Sequence, residues 1–565
     1  MTKRFLFALL ILLFSSPAWA ANDVCVIVGY YKTVAVGADC SDVDSGDTSG
    51  DAQDAIAAAG EDGTVYLYAS LAGAQIDGDN ILNLTHNGQS IIGIGTVVLS
   101  NTSANIIDSD SKTGVTIDNV GFSGATTSQV KLEYGSNSTL IQNCAFADGV
   151  EGVRILTTDD TTTSDIDILN NTFATFTQEA IAFMQYDVND DAAEQFYDIN
   201  IQLNVFTDVS NAVEIWANDI SDVDPGNDGV NATSRSPYNF VFSNNTVTNA
   251  TDAWLVFLSG LKEAGTGNFI QNNTFNGAGG ATASFVNGIQ CQWCRDLLVS
   301  DNTMTGVNTD NCDGGAFIFD YTGDEALYSD GVTFTRNKVY SNSSTGCLGS
   351  GIILFRAKDC TISNNLIYSN DIGIKVNLSH ANGTGNKILN NTIVSNTDDG
   401  ILFNHATGQV VTVTNNIIWD NGEEQIDNNS ANDPVVTYTV INAADYSGFA
   451  HGAGEVTSDP LFVDAAAGNF RLQANSPAID VGTLLSLHVD GWEDIYGSLL
   501  LCGDGVDIGG SETCSWESNP KLRLLGAGVM LAGWYSSEVA SGAFISSTGV
   551  YFVSSTGVYF ISSSP

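Results

Sequence analysis

The stretch Val411-Thr412-Val413-Thr414-Asn415-Asn416-Ile417-Ile418-Trp419 is the phrase from which most of this chain is built. A short alternating strand runs into a pair of asparagines and then into a second apolar strand. The phrase recurs around Asn390-Asn391, Asn364-Asn365, Asn337, Asn302, Asn272-Asn273, Asn244-Asn245, Asn204, Asn170-Asn171, Asn143 and Asn119. Successive copies lie 24 to 41 residues apart, most of them 24–29. Such a period dictates a solenoid, in which each repeat buries its apolar face only by stacking on its neighbours. The apolar runs are short, alternating and rich in Val, Ile, Thr and Phe, as in Val332-Thr333-Phe334-Thr335, so the unit is β rather than helical.

Asparagine is the non-glycine residue that best tolerates the left-handed backbone of a sharp turn. Its amide can also bond the same residue one coil away, at the roughly 4.8 Å strand spacing. The fixed position of these residues in every repeat favours a structural ladder over a run of Asn-x-Thr glycosylation acceptors. The pattern resembles the right-handed parallel β-helix of the pectate-lyase-like superfold, over about residues 49–450. The fold expected is therefore all-β, a right-handed parallel β-helix. Asp51–Ala59 is predicted as an N-terminal capping helix, after an acidic lead-in over residues 21–48. Asp459-Pro460-Leu461-Phe462, Ser476-Pro477-Ala478-Ile479-Asp480 and Gly505-Val506-Asp507-Ile508-Gly509 resemble the closing segment of bacterial exported β-helix repeat proteins, over 451–520. A tail over 521–565 carries a tandem octad, Ile545–Phe552 and Val553–Phe560, whose alternation suits two short strands.

Lys3-Arg4, the apolar run Phe5–Phe14 and Ser15-Ser16-Pro17-Ala18-Trp19-Ala20 predict a secretory leader cleaved before Ala21. The protein is expected outside the cell or at its surface, and no other stretch reaches the ~18 apolar residues of a membrane span. The formal charge of −47 excludes nucleic acid and anionic membrane as partners and leaves a glycan as the expected one. Ten cysteines in an exported chain predict disulfides. Cys25 with Cys40, Cys502 with Cys514 and Cys347 with Cys360 are the candidate pairs. Cys291, Cys294 and Cys312 lack a fourth ligand at zinc spacing and read as disulfide or buried thiol.

In each coil a strand of the form small-apolar-x-apolar-x precedes the ladder strand, as in Gly152-Val153-Arg154-Ile155 and Gly373-Ile374-Lys375-Val376. Its second and fourth positions point inward and its third and fifth outward. In the resembling lyases and hydrolases this sheet floors the substrate groove. Its outward and strand-end residues Glu214, Trp216, Phe257, Phe319, Asp320, Phe355, Asn377 and Asn404 are the expected glycan contacts. Arg356, Lys358, Lys375, His380 and His405 stand close together for so acidic a chain. A lyase needs a base for the proton α to a uronate carboxylate and a cation to hold the charge, and these five are the candidates. Asp222, Asp224, Asn227 and Asp228 cluster hard oxygen ligands and make calcium the candidate cofactor, though without the twelve-residue loop of an EF-hand. The expected function is polysaccharide binding or processing, with uronate lyase chemistry as its specific form. The alternative is a non-catalytic adhesin or structural stalk.

Overall fold

The structure, a computed structural model, describes residues 23–27, 30–34, 48–49, 52–68, 70–72, 81–102, 104–158, 161–186, 195–216, 237–249, 254–261, 267–277, 287–292, 294–309, 315–319, 329–344, 348–378, 384–404, 409–442, 446–447, 449, 452–485, 493–499, 505–513, 541–546, 549–554 and 557–561. Each coil contributes three strand segments, and each segment pairs in parallel with its counterparts in the coils above and below. Lys387–Leu389, for example, sits between Thr361–Ser363 and Thr412–Thr414. Thr392–Val394 sits between Leu366–Tyr368 and Ile417–Trp419. Ile372–Val376 sits between Ser350–Leu354 and Ile401–Phe403. The first of these rows forms one long parallel sheet. The other two are joined in a second sheet by the long strands Thr172–Tyr186 and Val205–Trp216, which run across the corner between them.

The corner between the first two rows is held by asparagine. Nine residues, Asn171, Asn204, Asn245, Asn273, Asn302, Asn337, Asn365, Asn391 and Asn416, form an unbroken ladder. Each Nδ2 donates to the next Oδ1 at 2.9–3.2 Å. The same Oδ1 accepts the backbone N–H of the coil before it, at 2.8 Å from Asn391 to Asn416. The residue before each ladder asparagine carries the positive φ: 57° at Asn244, 53° at Asn390 and 58° at Asn415. The division of labour within the Asn-Asn pair is therefore fixed. The first residue makes the left-handed turn and the second faces inward.

Asn119 and Asn143 prove to be first-position residues, with φ of 56° and 54°. Val120 and Cys144 take the interior position there, so the ladder proper begins at Asn171. Five residues further along, Asn342, Asn370, Asn396 and Asn421 form a second buried ladder at the next corner. The Gln425 Oε1 terminates it at 2.7 Å.

The interior is apolar and sorted by height. Phe122, Phe146, Phe173 and Phe206 stack face to face at centroid distances of 4.7–5.0 Å, and the equivalent inward position higher up is Ile367, Ile393 and Ile418. The helix Ala52–Ala59 covers the open end with Ala52, Ala55, Ile56 and Ala59, and Gln89 Nε2 donates to the Ile56 carbonyl at 2.8 Å. Asp23–Ile27 adds a parallel strand to Thr64–Leu67, so part of the acidic lead-in belongs to the sheet. At the other end, the described residues within 452–513 fold back along the outward side of the Leu366, Val394, Ile417 and Val440 strands. Phe470, Leu472, Ala478 and Ile508 make a second small core there.

Cys291 and Cys294 form a disulfide, and Cys25 is disulfide-bonded. The expected Cys347–Cys360 bridge is not made. Cys360 is a free thiol at an inward-facing turn position, fully enclosed, and its Sγ donates to the Lys358 and Ser329 carbonyls. Cys502 and Cys514 lie outside the described residues. No helix among the described residues is long and apolar enough to cross a membrane. The chain divides into two units at residue 513. In the second, the octad repeat makes three antiparallel strands rather than two: Ser541–Ser546, Gly549–Ser554 and Gly557–Ile561.

The two asparagine roles predict opposite mutational responses. Asn391→Leu strands the Asn365 amide below and the Ile362 carbonyl, and removes the donor to Asn416, at a cost of roughly 3–5 kcal/mol in thermal unfolding. Asn272→Gly, at an exposed left-handed position, changes stability by less than about 0.5 kcal/mol.

Candidate functional site

The third strand row presents one outward line of side chains, fixed by strand register. In chain order it runs Asp108, Lys131, Arg154, Ala182, Glu214, Phe257, Gln290, Ile318, Ile353, Lys375, Leu402 and Asp427. Two coils depart from the register read in the sequence. Leu255 aligns with Ala212, because that coil has no small residue at the strand start, so Phe257 moves into line with Glu214 and Gln290. There it is 1 % exposed, which removes it from the expected sugar platform. Phe319 pairs with Cys291 and Leu354, both in the inward row, because Ala316 rather than Gly315 is the small position. Phe355, Asn377 and Asn404 do stack in one row at the strand ends, with Phe355 and Asn377 half-buried and Asn404 exposed. Trp216 falls in register with Met184 and Leu156.

The five-residue basic site separates. Lys375 stands on the outward row between Ile353 and Leu402, and Arg356 is buried just past the end of the neighbouring strand, its Cζ 5.9 Å from the Phe355 ring centroid. Lys358 lies on the short strand Ala357–Lys358, which has already turned the corner towards the first sheet. There its Nζ is ion-paired to Asp330 at 2.9 Å and to Asp359 at 3.7 Å. An ammonium held between two carboxylates is a poor base, which removes Lys358 from that role. His380, His405, Asp320 and the calcium candidates Asp222, Asp224, Asn227 and Asp228 lie outside the described residues. Among the described residues no cluster of three His, Cys, Asp or Glu side chains is arranged to hold a metal.

The row's chemistry concentrates elsewhere, on five successive coils in its N-terminal half. Glu214 accepts from Asn211 Nδ2 at 3.2 Å, and the same Asn211 amide reaches Oε1 of Glu179, one coil earlier, at 3.5 Å. One coil earlier, Glu151 accepts from Ser128 Oγ at 2.7 Å and from Arg154 Nη1 at 3.2 Å. Beyond it Lys131 contacts Glu133 at 2.6 Å and Asp108 at 3.9 Å. Burial, then the hydrogen bond to Glu179 and that residue's charge, push the Glu214 carboxyl up to about 8; Asn211 opposes the shift and Glu151 adds to it. Burial also raises Glu151, against the stabilising Ser128 hydroxyl and Arg154 guanidinium.

A carboxyl held protonated by burial and a neighbouring carboxylate thus sits beside a second carboxyl, with a guanidinium one coil before the latter. Glu151 and Glu179 escaped the reading of outward rows because they occupy the residue immediately before the small strand-start position. A polar side chain recurs there in Glu151-Gly152, Glu179-Ala180, Asn211-Ala212 and Ser350-Gly351, which is the signal that marks them.

Residues 200–444 match the family model described as right handed beta helix region. The fold is the right-handed parallel β-helix. Among solved structures, a periplasmic alginate epimerase is similar at 11 % identity, covering 68 % of this chain and 84 % of that one, with a TM-score of 0.39. The catalytic unit of an α-1,3-glucanase from Streptomyces thermodiastaticus is similar at 13 % identity, covering 73 % and 67 %, with a TM-score of 0.39. The tailspike protein of E. coli bacteriophage HK620, in complex with a pentasaccharide, matches at 13 % identity over 64 % and 71 %, with a TM-score of 0.37. No curated protein matches the sequence at a significant level.

The carboxyl pair predicts a distinctive pH dependence. Because folding raises the Glu214 pKa above its usual 4.5, its contribution to stability is present below that value and is lost as pH rises through about 8. Glu179→Gln removes the competing charge. The difference in melting temperature between neutral pH and a pH above 8 will therefore be smaller in Glu179→Gln than in the wild type.

Proposed function

We propose that this protein is an exported polysaccharide-processing β-helix, and that it cleaves a uronate polymer by β-elimination on the outward face of the third strand row. The observation that carries this reading is the Glu214–Glu179 pair. It sets a carboxyl that keeps its proton at neutral pH against a second carboxyl, with Arg154 one coil from Glu179 and two from Glu214. In the proposed step the Glu179 carboxylate removes the proton α to the uronate carboxylate, and Arg154 balances the charge that develops. The carbon–oxygen bond to the leaving sugar breaks as the double bond forms, and Glu214 gives its proton to the departing oxygen.

The acidic coat would repel an anionic chain, but Lys131, Arg154, Lys375 and Arg356 stand on this row or at its strand ends, four of the chain's 18 basic residues. Export is supported by the leader-like N-terminus and the Cys291–Cys294 disulfide. Glu214, Gln290 and Ile353 are only 7 %, 3 % and 1 % exposed, so this part of the row is covered, which weighs against turnover there and favours the second reading, a non-catalytic adhesin or structural stalk.

Incubation of the mature protein with pectate, alginate and glucuronan, followed by ultraviolet absorbance of unsaturated ends, separates the two. The lyase reading expects product from at least one polymer, a loss of about 100-fold or more in kcat for Glu179→Gln and Glu214→Gln, and near-wild-type turnover for Lys358→Ala. Binding without product would establish the adhesin instead.

A further inference from the structure

The closing segment leaves a cleft that the fold does not need. Residues 459–473 lie against the outward side of the strands Thr392–Val394 and Ile417–Trp419, and between them opens a space of about 270 Å³. Its floor is Val394 and Trp419, and its far wall is Phe462 and Phe470. Phe462 and Phe470 meet edge to face at 5.2 Å, and Phe470 in turn leans on Tyr368 at 5.1 Å, so the wall is a braced aromatic surface. Trp419 is only half-buried, although this segment could have covered it.

The polar groups on the rim are nearly all acceptors. Asp420 sits at a left-handed turn position, φ 56°, and is exposed. Asp459 uses Oδ1 to cap the Leu461 N–H at 2.8 Å, which leaves its other oxygen to the cleft. Gln473 spends its Nε2 on the Phe462 carbonyl at 2.7 Å, leaving Oε1 as acceptor.

A ligand for such a place presents a flat C–H face to the indole and hydroxyl donors to two carboxylates and an amide oxygen. It carries no negative charge, since Asp420 and Asp459 would repel one. Those requirements describe a neutral pyranose. The volume sits just below the ~300–1,000 Å³ of drug-sized pockets and suits one or two hexose rings.

We propose that this cleft binds neutral hexoses of a glycan chain. It would anchor the protein to a polysaccharide at a place separate from the Glu214–Glu179 face. The proposal stands whether or not that face is catalytic.

Isothermal titration calorimetry of the mature full-length protein with cellohexaose, mannohexaose, maltohexaose and laminarihexaose tests it. At least one of the four should bind, with affinity unchanged by Glu214→Gln and insensitive to salt. Trp419→Ala should weaken binding at least about 10-fold and Trp419→Phe should restore part of it. Asp420→Asn, an isosteric change that tolerates the left-handed turn, keeps the test valid if Trp419→Ala fails to fold, and should weaken binding about 3- to 10-fold. The proposal is overturned if none of the four sugars binds, or if binding survives both Trp419→Ala and Asp420→Asn unchanged. Binding lost in Glu214→Gln instead would assign it to the other face and overturn the cleft.

Discussion

The rest of the molecule depends on one relay of side-chain amides. A parallel β-helix must turn its chain sharply at each corner while leaving backbone groups inside with no water to satisfy them. In this protein the ladder asparagine answers both demands. In Asn391, Nδ2 donates upward to Asn416 Oδ1 and laterally to the Ile362 and Leu389 carbonyls, while Oδ1 accepts from the backbone and side chain of Asn365 below. No group is left over, and each coil fixes the height and azimuth of the next. The strand rows are therefore held in register from coil to coil along the ladder, with a shift between Phe176 and Glu179. That register is what lets residues on separate coils, such as Glu151, Glu179 and Glu214, face one another.

Coil stacking also explains the electrostatics. Identical turn positions recur every 4.8 Å or so, and an acidic chain inevitably places carboxylates above carboxylates. Two solutions occur. In one, the charges are diluted by amides or balanced by a guanidinium, as where Arg336 bridges to Asp301 through two hydrogen bonds of 2.7 and 2.8 Å. In the other, the proton is retained, as at Glu214 and at Asp399, whose carboxyl burial and the charges of Asp398, Asp427 and Glu423 push up to about 7. The second solution is costly to stability at high pH.

The fold was legible because its determinant is local and repeated: the Asn-Asn phrase names a turn, an interior amide and a period together. What the sequence obscured was register. Leu255 stands where other coils keep Gly or Ala, and one such exception shifted Phe257 from an expected platform into a covered position. Lys358 shows a second limit. Four residues past the end of Ser350–Leu354 the chain has already turned a corner, which places Lys358 beside Asp330 and on a different face from Lys375. The carboxyl pair was hidden for another reason. Its shifted acidity comes from burial and from a partner one coil away, 35 residues distant in the chain, which no local pattern displays.

The central claim, that the outward face of the third strand row takes a uronate chain at the Glu214–Glu179 pair, is tested most directly by a crystal structure. The Glu214→Gln variant should be soaked with a uronate oligosaccharide of the polymer it binds. The account predicts a chain crossing successive coils, with one uronate carboxylate on the Arg154 guanidinium and the α-hydrogen directed at Glu179. A sugar seated elsewhere on the molecule, or an Arg154–Glu151 pair left undisturbed beneath an empty face at saturating ligand, would contradict it.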